Sequence, residues 1–229
     1  MSASSASSRS GSAGSEHPEM DENSASRLFD IYKPAFRRHY EVKSTDDQCL
    51  YYGDISSFTR NKPDLTLHAG TGDQAPVVAA AKFIKLSGQY KLCLGDPNDM
   101  NNAQWEDMTK DRSLHPRHRF EMTIPSYIVP DQSERRAFLW KRTRSVIADG
   151  AKPLRLNMRN FKLIDARTEK VVAVFTRERS FSKCGRLQIQ ENYGENFETM
   201  VLISCISLYE RLRRRNNSAA ASGGGAGGA

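Results

Sequence analysis

Cysteine is scarce in this sequence and has no spacing typical of a cross-link or a metal site. The four cysteines, Cys49, Cys93, Cys184 and Cys205, lie far apart, with no Cys-x-x-Cys pair and no histidine group at zinc spacing. A disulfide framework and a zinc site are therefore not expected. Cys93 and Cys205 lie within apolar runs, where a thiol serves as a small core side chain. The sequence predicts no metal and no cofactor.

Long apolar runs are also lacking. The most apolar stretch, residues 200–209, is interrupted by Ser204, Cys205 and Ser207. In a helix, at about 1.5 Å per residue, it spans roughly 15 Å, half of the roughly 30 Å of a bilayer core. The N-terminus has no apolar segment of the secretory type either. We expect an intracellular protein without a transmembrane span, in the cytoplasm or peripherally at a membrane, with the nucleus left open.

The motifs of catalysis are missing too. The densest imidazole group, His115 and His118, lies in a proline-bearing polar loop, with Asp107 and Asp111 nearby but no serine or cysteine in a motif setting. The glycines in residues 70–72 are not followed by the Lys-Ser or Lys-Thr pair of a phosphate-binding loop. The sequence therefore predicts a binding protein and not an enzyme.

Basic residues outnumber acidic ones, with 34 lysines and arginines against 27 aspartates and glutamates, which gives a net charge of +7. This excess favours nucleic acid, anionic lipid or an acidic protein as a partner. For nucleic acid, Tyr51, Tyr52, Phe138 and Trp140 are the side chains that would have to stack on bases. Phe138 and Trp140 alternate as core residues do, and no recognition helix or ribonucleoprotein motif is present. Nucleic acid is thus the least favoured partner.

The composition divides the chain into one domain and two tails. Residues 1–26 and 217–229 are rich in Ser, Ala and Gly, and such segments cannot bury enough apolar surface to offset the entropy of ordering. Both are predicted to be disordered. Residues 27–216 are long enough to bury a single core. At the start of this domain, residues 28–40 are predicted to dock on its body through Phe29, Ile31, Tyr32, Phe36 and Tyr40.

From residue 50 onward the pattern is typical of β-strands, with short β-branched and aromatic segments separated by Gly, Pro, Asn and Asp. Phe120, Met122 and Ile124 alternate with polar residues, so one face of that strand is buried and the other solvated. The step from Met158 to Phe161 predicts a β-bulge, and residues 165–170 predict a hairpin turn. The predicted strands are 50–58, 77–86, 89–94, 119–124, 136–142, 154–164, 171–177 and 186–190.

Residues 196–215 are predicted to form a helix that is apolar on every side. Asn196 can cap its first turn, and the arginines from Arg211 to Arg215 suit its negative end. Between these ends, apolar residues point in all directions around a period of 3.6, which is the pattern of an enclosed helix. The predicted core side chains of this central helix, about residues 196–214, are Phe197, Val201, Leu202, Ile203, Ile206 and Leu208.

Many antiparallel strands followed by one helix that is apolar all round have few packing solutions. The economical one is a closed or nearly closed barrel around the helix, because closure removes exposed strand edges and buries the helix. The alternative, a two-layer sheet with the helix against one face, predicts a polar stripe that the helix lacks. The predicted class is therefore mainly β, an antiparallel closed β-barrel that encloses a hydrophobic C-terminal helix.

The order of the last elements resembles a known family. A strand ending in Phe161-Lys-Leu-Ile-Asp165, a turn, Val171-Val-Ala-Val-Phe175, Gly185-Arg-Leu-Gln-Ile189 and a terminal apolar helix are similar to the tubby C-terminal-like superfamily, which includes LURP-one-related proteins and phospholipid scramblases. The resemblance covers roughly residues 50–214. It implies a barrel of about twelve strands around a central helix and, from the tubby branch, binding of phosphoinositide head groups by basic residues on the barrel wall. The cysteine-rich segment and calcium loop of scramblases are not evident in this sequence.

The strongest basic feature lies between Arg135 and Lys162, where only Glu134 and Asp149 oppose the lysines and arginines. Lysine and arginine at close quarters bind phosphate by charge and by forked hydrogen bonds. The alternative interpretation is a solvated outer face of the barrel. The arginines that end the helix can contact acidic lipid or simply cap the helix. The candidate residues for an anionic ligand are Lys141, Arg142, Arg144, Arg155, Arg159 and Lys162.

These patterns predict a non-enzymatic domain that binds the head groups of anionic phospholipids, in particular phosphoinositides, at a membrane surface. The first alternative is a protein-interaction scaffold for an acidic partner, with no lipid ligand. The second alternative is binding of single-stranded nucleic acid.

Overall fold

The computed structural model describes residues 26–56, 59, 62–111, 117–126, 132–152, 160–178 and 180–223. Over these residues the chain forms twelve β-strands and one α-helix. The helix, α1 (Glu195–Gly223), has 29 residues. The strands are β1 (Arg27–Tyr32), β2 (His39–Lys43), β3 (Cys49–Ile55), β4 (Leu65–Ala69), β5 (Val77–Phe83), β6 (Tyr90–Leu94), β7 (Gln104–Asp111), β8 (Arg117–Pro125), β9 (Ser133–Thr143), β10 (Asn160–Asp165), β11 (Val171–Arg177) and β12 (Lys183–Ile189).

The strands form one closed antiparallel barrel. Each strand pairs with its neighbours in the sequence, and β1 also pairs with β12, from Arg27 opposite Ile189 to Tyr32 opposite Lys183. The predicted closed barrel is confirmed, and so is the strand number that the family resemblance implied. Closure pairs the backbone groups that the edges of an open sheet would leave exposed.

The alternation along each strand decides which side chains enter the barrel. In β8, Phe120, Met122 and Ile124 are buried, whereas Arg119 and Thr123 are exposed. The inward-facing residues of the other strands join them in one apolar core. The period of two in the sequence is therefore the feature that separates the interior of the barrel from its outer wall.

α1 passes through this core. Phe197 packs on Phe138 with ring centroids 5.1 Å apart, and Trp140 donates its indole N–H to the Ser204 hydroxyl at 2.9 Å. No helix in the part of the chain that the structure describes combines the length and the apolar character needed to cross a bilayer. All the predicted core side chains of the helix are at most 3 % exposed: Phe197, Val201, Leu202, Ile203, Ile206 and Leu208.

Four strands were not predicted as such: β1, β2, β4 and β7. β2 does alternate, with Tyr40 and Val42 buried, but it is only five residues long. β7 buries only Met108, so its apolar signal is a single residue. β4 is five residues long and buries residues on both faces. The lead-in at residues 28–40 is β1, a connection and the start of β2. Its predicted docking is wrong for Phe36, which is fully exposed in that connection.

Both ends of α1 differ from the predicted ones. The helix begins at Glu195, so Asn196 lies within its first turn, and the Gly194 carbonyl accepts from the Glu198 N–H at 3.2 Å. The helix continues through residues 217–223, which were predicted to be part of a disordered tail, and its last turn contains no basic residue. Arg211–Arg215 therefore do not cap the helix. Residues 1–25 and 224–229 of the predicted tails lie outside the described residues.

The predicted strand at residues 154–164 is described only from Asn160, as β10. The predicted bulge between Met158 and Phe161 lies partly outside the described residues. The hairpin after β10 is present, since Phe161 of β10 pairs with Phe175 of β11 and the Asp165 N–H donates to the Lys170 carbonyl at 3.0 Å.

Gly185 in β12 occupies a position where the barrel leaves no room for a side chain. A Cβ there would overlap the Thr176 carbonyl oxygen and lie 2.8 Å from the Phe175 ring and 2.9 Å from the Arg177 Cα. We expect Gly185→Ala to lower the free energy of unfolding by about 2–3 kcal/mol, because backbone and core would have to move. Urea unfolding followed by circular dichroism measures this loss.

Gly72→Ala is the matched control for Gly185→Ala, since nothing lies within 4 Å of a Cβ at Gly72. It should unfold within about 0.5 kcal/mol of wild type. Equal stability of the Gly185 and Gly72 variants would contradict the close approach of β11 and β12.

Candidate functional site

The two ends of the barrel differ in the connections that they carry. Because consecutive strands are antiparallel neighbours, the connections after β1, β3, β5, β7, β9 and β11 lie at one end. α1 leaves the barrel there, and Arg211 donates to the Ile84 and Gln89 carbonyls of the β5–β6 connection. At the opposite end, Glu198 in the first turn of α1 pairs with Arg27 at the start of β1. We call the first of these the helix-exit end.

A cavity of about 460 Å³ opens at the helix-exit end, between α1 and the inner faces of β6 to β10. Tyr90, Trp140 and Phe161 contribute aromatic rings to its wall, and Leu208 and Leu212 of α1 contribute aliphatic side chains. We call it the mouth cavity. Its wall is therefore apolar where the barrel core reaches the opening.

Four cations line the mouth cavity: Lys110, Arg142, Arg211 and Arg215. Lys110 and Arg142 lie on the inward-facing phase of their strands, two residues beyond the buried Met108 and Trp140. No aspartate or glutamate is among the lining residues, and none of the four cations has a salt bridge to another residue of the described chain. The barrel thus places a group of uncompensated positive charges around one opening.

Arg211 is the most firmly held of these cations. It donates to the Ile84 carbonyl at 2.5 Å and to the Gln89 carbonyl at 3.0 Å. Its guanidinium also lies over the rings of Tyr90, at 4.5 Å, and Phe83, at 5.6 Å. Such stacking keeps a guanidinium in place while its charge stays available. Arg211 therefore links α1 to the β5–β6 connection and also forms part of the wall of the mouth cavity.

His118 is a partly buried imidazole in the wall of the mouth cavity. It lies opposite Lys110 of β7 and Trp140 of β9, with its ring 5.6 Å from that of Tyr90. Burial lowers the pKa of His118 to about 4, and the charges of Lys110, Arg211 and Arg142 act in the same direction. The imidazole is therefore neutral at pH 7, where it can form a hydrogen bond with a ligand without adding charge.

The other arginines of this helix segment, Arg213 and Arg214, are neutralised by Glu210 and Asp64 together. The Glu210 side chain is fully buried and accepts from the Tyr40 hydroxyl at 2.7 Å and from Nε of Arg213 and Arg214, each at 2.8 Å. Arg214 also pairs with Asp64 at 2.9 Å. Burial alone would raise the pKa of Glu210, but the hydrogen bonds from Arg213, Arg214 and Tyr40 outweigh it and hold the pKa below its usual value. This cluster ties α1 to β2 and the β3–β4 connection.

The predicted basic residues are divided between two faces of the barrel. Arg142 points into the mouth cavity, whereas Lys141 and Lys162 face each other across β9 and β10 on the outer wall. Arg144 is exposed in the bend after β9. Lys141 and Arg142 therefore do not share one face, because successive residues of a strand point to opposite sides. The remaining predicted residues, Arg155 and Arg159, lie outside the described residues.

Sequence reasoning missed Lys110 and His118 as members of the site. The signal was present, since His118 is in phase with the inward-facing Phe120, but β7 was not recognised as a strand. Among the aromatic residues considered for base stacking, Phe138 and Trp140 are buried and so cannot stack on bases. Tyr51 donates to Glu198 at 3.0 Å, and Tyr52 stacks on His39. His115 lies outside the described residues.

Fold and site together define a closed antiparallel barrel around a C-terminal helix, with an electropositive cavity where the helix leaves. No protein-family model matches this sequence. No curated protein matches it either. Among solved structures, it is similar to the X-ray structure of an Arabidopsis thaliana protein, AT5G01750, with a TM-score of 0.42 and 8 % sequence identity over 80 % of this chain and 91 % of that one.

Replacing the buried carboxylate by Glu210→Gln tests the cluster that neutralises Arg213 and Arg214. Because the folded-state pKa of Glu210 is lowered from 4.5, its charge stabilises the fold above about pH 4.5, and this contribution disappears as pH falls through the lower folded value. We expect a loss of about 3 kcal/mol at pH 7, since Arg213 loses its partner and Arg214 keeps only Asp64. The difference from wild type should shrink below pH 4, and urea unfolding at both pH values measures it.

Glu121→Gln is the control for this pH dependence. Glu121 also pairs with an arginine, Arg119, and its pKa is also lowered, but the pair lies on the solvated outer wall. Its loss should cost no more than about 0.5 kcal/mol. A Glu210→Gln protein as stable at pH 7 as the control would contradict the structural role of the cluster.

Proposed function

We propose that this protein is a non-enzymatic binding domain whose mouth cavity holds the phosphate groups of an anionic phospholipid, most favourably a phosphoinositide, at a membrane surface. The observation that carries the proposal is the set of four cations, from β7, β9 and α1, around one cavity that no carboxylate lines. Phosphate is the ligand that such a set suits, since guanidinium groups bind its oxygens through forked hydrogen bonds and lysine binds it as a point charge.

The size and lining of the mouth cavity support a small, multiply charged ligand. Its volume of about 460 Å³ is within the range of about 300–1,000 Å³ typical of small-molecule sites. The buried rings of Tyr90 and Phe161 form the apolar floor of the cavity, and the neutral His118 in its wall can hydrogen-bond to a ligand. A head group with several phosphates can contact several cations at once.

The position of the cavity supports a ligand presented by a surface. A second groove at the helix-exit end, beside the protruding part of α1, is lined by Lys85, Arg211 and Arg215. Its other two cations, Lys62 and Arg214, are paired with Asp54 and with Asp64, and Asp64 also lines the groove. Each cation near an anionic membrane contributes about 1 kcal/mol of attraction. Positive charge around the opening would therefore hold this end of the barrel against an anionic bilayer.

The family resemblance of the sequence agrees with this role. We propose membership of the tubby-like group, whose tubby branch binds phosphoinositide head groups by basic residues on the barrel wall. In this chain, four cations line the mouth cavity, whereas Lys141 and Lys162, which also have no salt bridge within the described chain, face each other on the outer wall. The ligand site proposed here thus differs in place from the one that the resemblance implies.

Two double variants that each remove two positive charges test whether the ligand binds in the mouth cavity or on the outer wall. Lys110→Gln combined with Arg142→Gln removes two cations of the mouth cavity, and Lys141→Gln combined with Lys162→Gln removes two cations of the outer wall. We expect the mouth variant to bind phosphatidylcholine vesicles containing phosphatidylinositol bisphosphate about 30-fold more weakly than wild type, since two cations contribute about 2 kcal/mol. Co-sedimentation at physiological ionic strength measures the affinity.

The wall variant carries the same change in net charge and is the matched control, with less than about a threefold loss expected. A loss confined to the wall variant would move the site to the outer wall and contradict the proposal. Equal losses in both, together with binding to every anionic vesicle, would mean diffuse charge attraction only. Absence of vesicle binding by wild type would favour the alternative of a scaffold for an acidic protein.

A further inference from the structure

The exposed large apolar side chains are concentrated at the helix-exit end. Among the described residues, four of the six lie in connections at that end: Phe36 in β1–β2, Leu86 in β5–β6, Ile147 in β9–β10 and Phe181 in β11–β12. Phe36 and Leu86 are 103 % and 108 % exposed, so neither has a packing partner in the fold. Single exposed apolar residues are ordinary, but a group around one opening marks a contact surface.

Two of these residues also have an unfavourable backbone conformation. Phe36 has a φ of 60° and Leu86 a φ of 65°, in the left-handed region that suits glycine or asparagine and that bulky side chains rarely adopt. A large apolar side chain at such a position has two free-energy costs in water, one from the strained backbone and one from the exposed apolar surface. Strain of this kind is typical of functional sites. The structure of the free domain gives neither side chain a role in stability.

Cations surround both apolar tips. Phe36 lies beside Lys33, Arg37, Arg38 and Arg213 at one depression of the helix-exit end. Leu86 follows Lys85 and borders both the mouth cavity and the groove beside α1, next to Arg211 and Arg215. An apolar tip ringed by positive charge complements the two components of an anionic bilayer surface, its acyl boundary and its phosphates.

Two carboxylates at this end are paired with cations of the fold. Asp64 binds Arg214 at 2.9 Å, and Glu178 binds Lys183 at 2.9 Å. The part of α1 that projects beyond Arg215 is built from Asn, Ser, Ala and Gly and contains no acidic residue. The projecting part of α1 therefore carries no negative charge, while Asp111 and Asp149 are exposed elsewhere at this end.

We propose that the helix-exit end is a membrane-docking face, on which Phe36 and Leu86 enter the interfacial layer of an anionic bilayer while the cations around them contact its phosphates. This inference deepens the proposed function and rests on it, since a docked barrel would present the mouth cavity to the head groups. The docking face also predicts how the barrel is oriented, with its axis roughly perpendicular to the membrane plane. It further predicts an apolar contribution to membrane binding that salt does not screen.

The test separates insertion from head-group recognition by means of a double variant, Phe36→Asn combined with Leu86→Asn. Asparagine tolerates a positive φ, so the melting temperature of the variant should be no lower than that of wild type. Its affinity for phosphatidylcholine vesicles containing phosphatidylinositol bisphosphate should fall at least about tenfold, since two apolar side chains no longer leave water. Its affinity for soluble inositol trisphosphate, measured by calorimetry, should be unchanged.

Met100→Asn is the matched control. Met100 is 93 % exposed, but it lies in the β6–β7 connection at the opposite end of the barrel. The control variant should bind vesicles as wild type does. If the Phe36/Leu86 double variant also binds vesicles as wild type does, the docking face is wrong.

The same measurements distinguish failure of the docking face from failure of the proposed function. If wild type binds inositol trisphosphate and the double variant binds vesicles as tightly as wild type does, the head-group site is supported and the docking face is wrong. A wild-type protein that binds vesicles through Phe36 and Leu86 but does not bind inositol trisphosphate supports the docking face and overturns the head-group site. Vesicle binding that vanishes at high salt in wild type would also overturn the proposal, because an inserted apolar side chain keeps part of its contribution there.

Discussion

Between Phe197 and Leu208, α1 carries apolar side chains in every direction, so each of its faces has to be covered. A single sheet covers all faces of a helix only by closing around it, and the twelve strands do so without leaving an edge in the described chain. The interior is consequently mainly apolar, with the Ser204 hydroxyl of α1 bound by the Trp140 N–H. The arginines that follow the apolar stretch in the sequence have to emerge at the end of the barrel where the helix leaves.

These arginines form two groups at the helix-exit end, which differ in whether a carboxylate pairs with them. Glu210 is buried near the opening and forms salt bridges with Arg213 and Arg214. This cluster stabilises the position of the helix in the barrel. Arg211 and Arg215 lie on the side of the mouth cavity, where they meet Lys110 and Arg142 from the strands. One set of charges therefore serves stability and the other remains open to a ligand. The low pKa of His118, about 4, is a consequence of its burial beside the second set.

The sequence allowed the fold to be predicted more fully than the site. The helix was recognisable because its apolar residues have no polar stripe, and β8 because Phe120, Met122 and Ile124 alternate with polar residues. β7 was not recognisable, since Met108 is its one buried residue, and without β7 the position of Lys110 could not be inferred. Nearness along the chain grouped Lys141 with Arg142, whereas the alternation of the strand separates them. A site assembled from three elements depends on register, which composition and charge do not specify.

The two tryptophans allow the central claim, an anion site in the mouth cavity, to be tested directly. Trp140 lines that cavity, whereas Trp105 lies near the start of β7 on the outer wall, where Lys82 stacks on it at 4.8 Å. The measurement is the ¹H–¹⁵N spectrum of the two indole N–H groups during titration with inositol trisphosphate. We expect the Trp140 signal to shift until the site is saturated, while the chemical shift of Trp105 stays unchanged. A shift of Trp105 alone, or no shift of either signal, would contradict it.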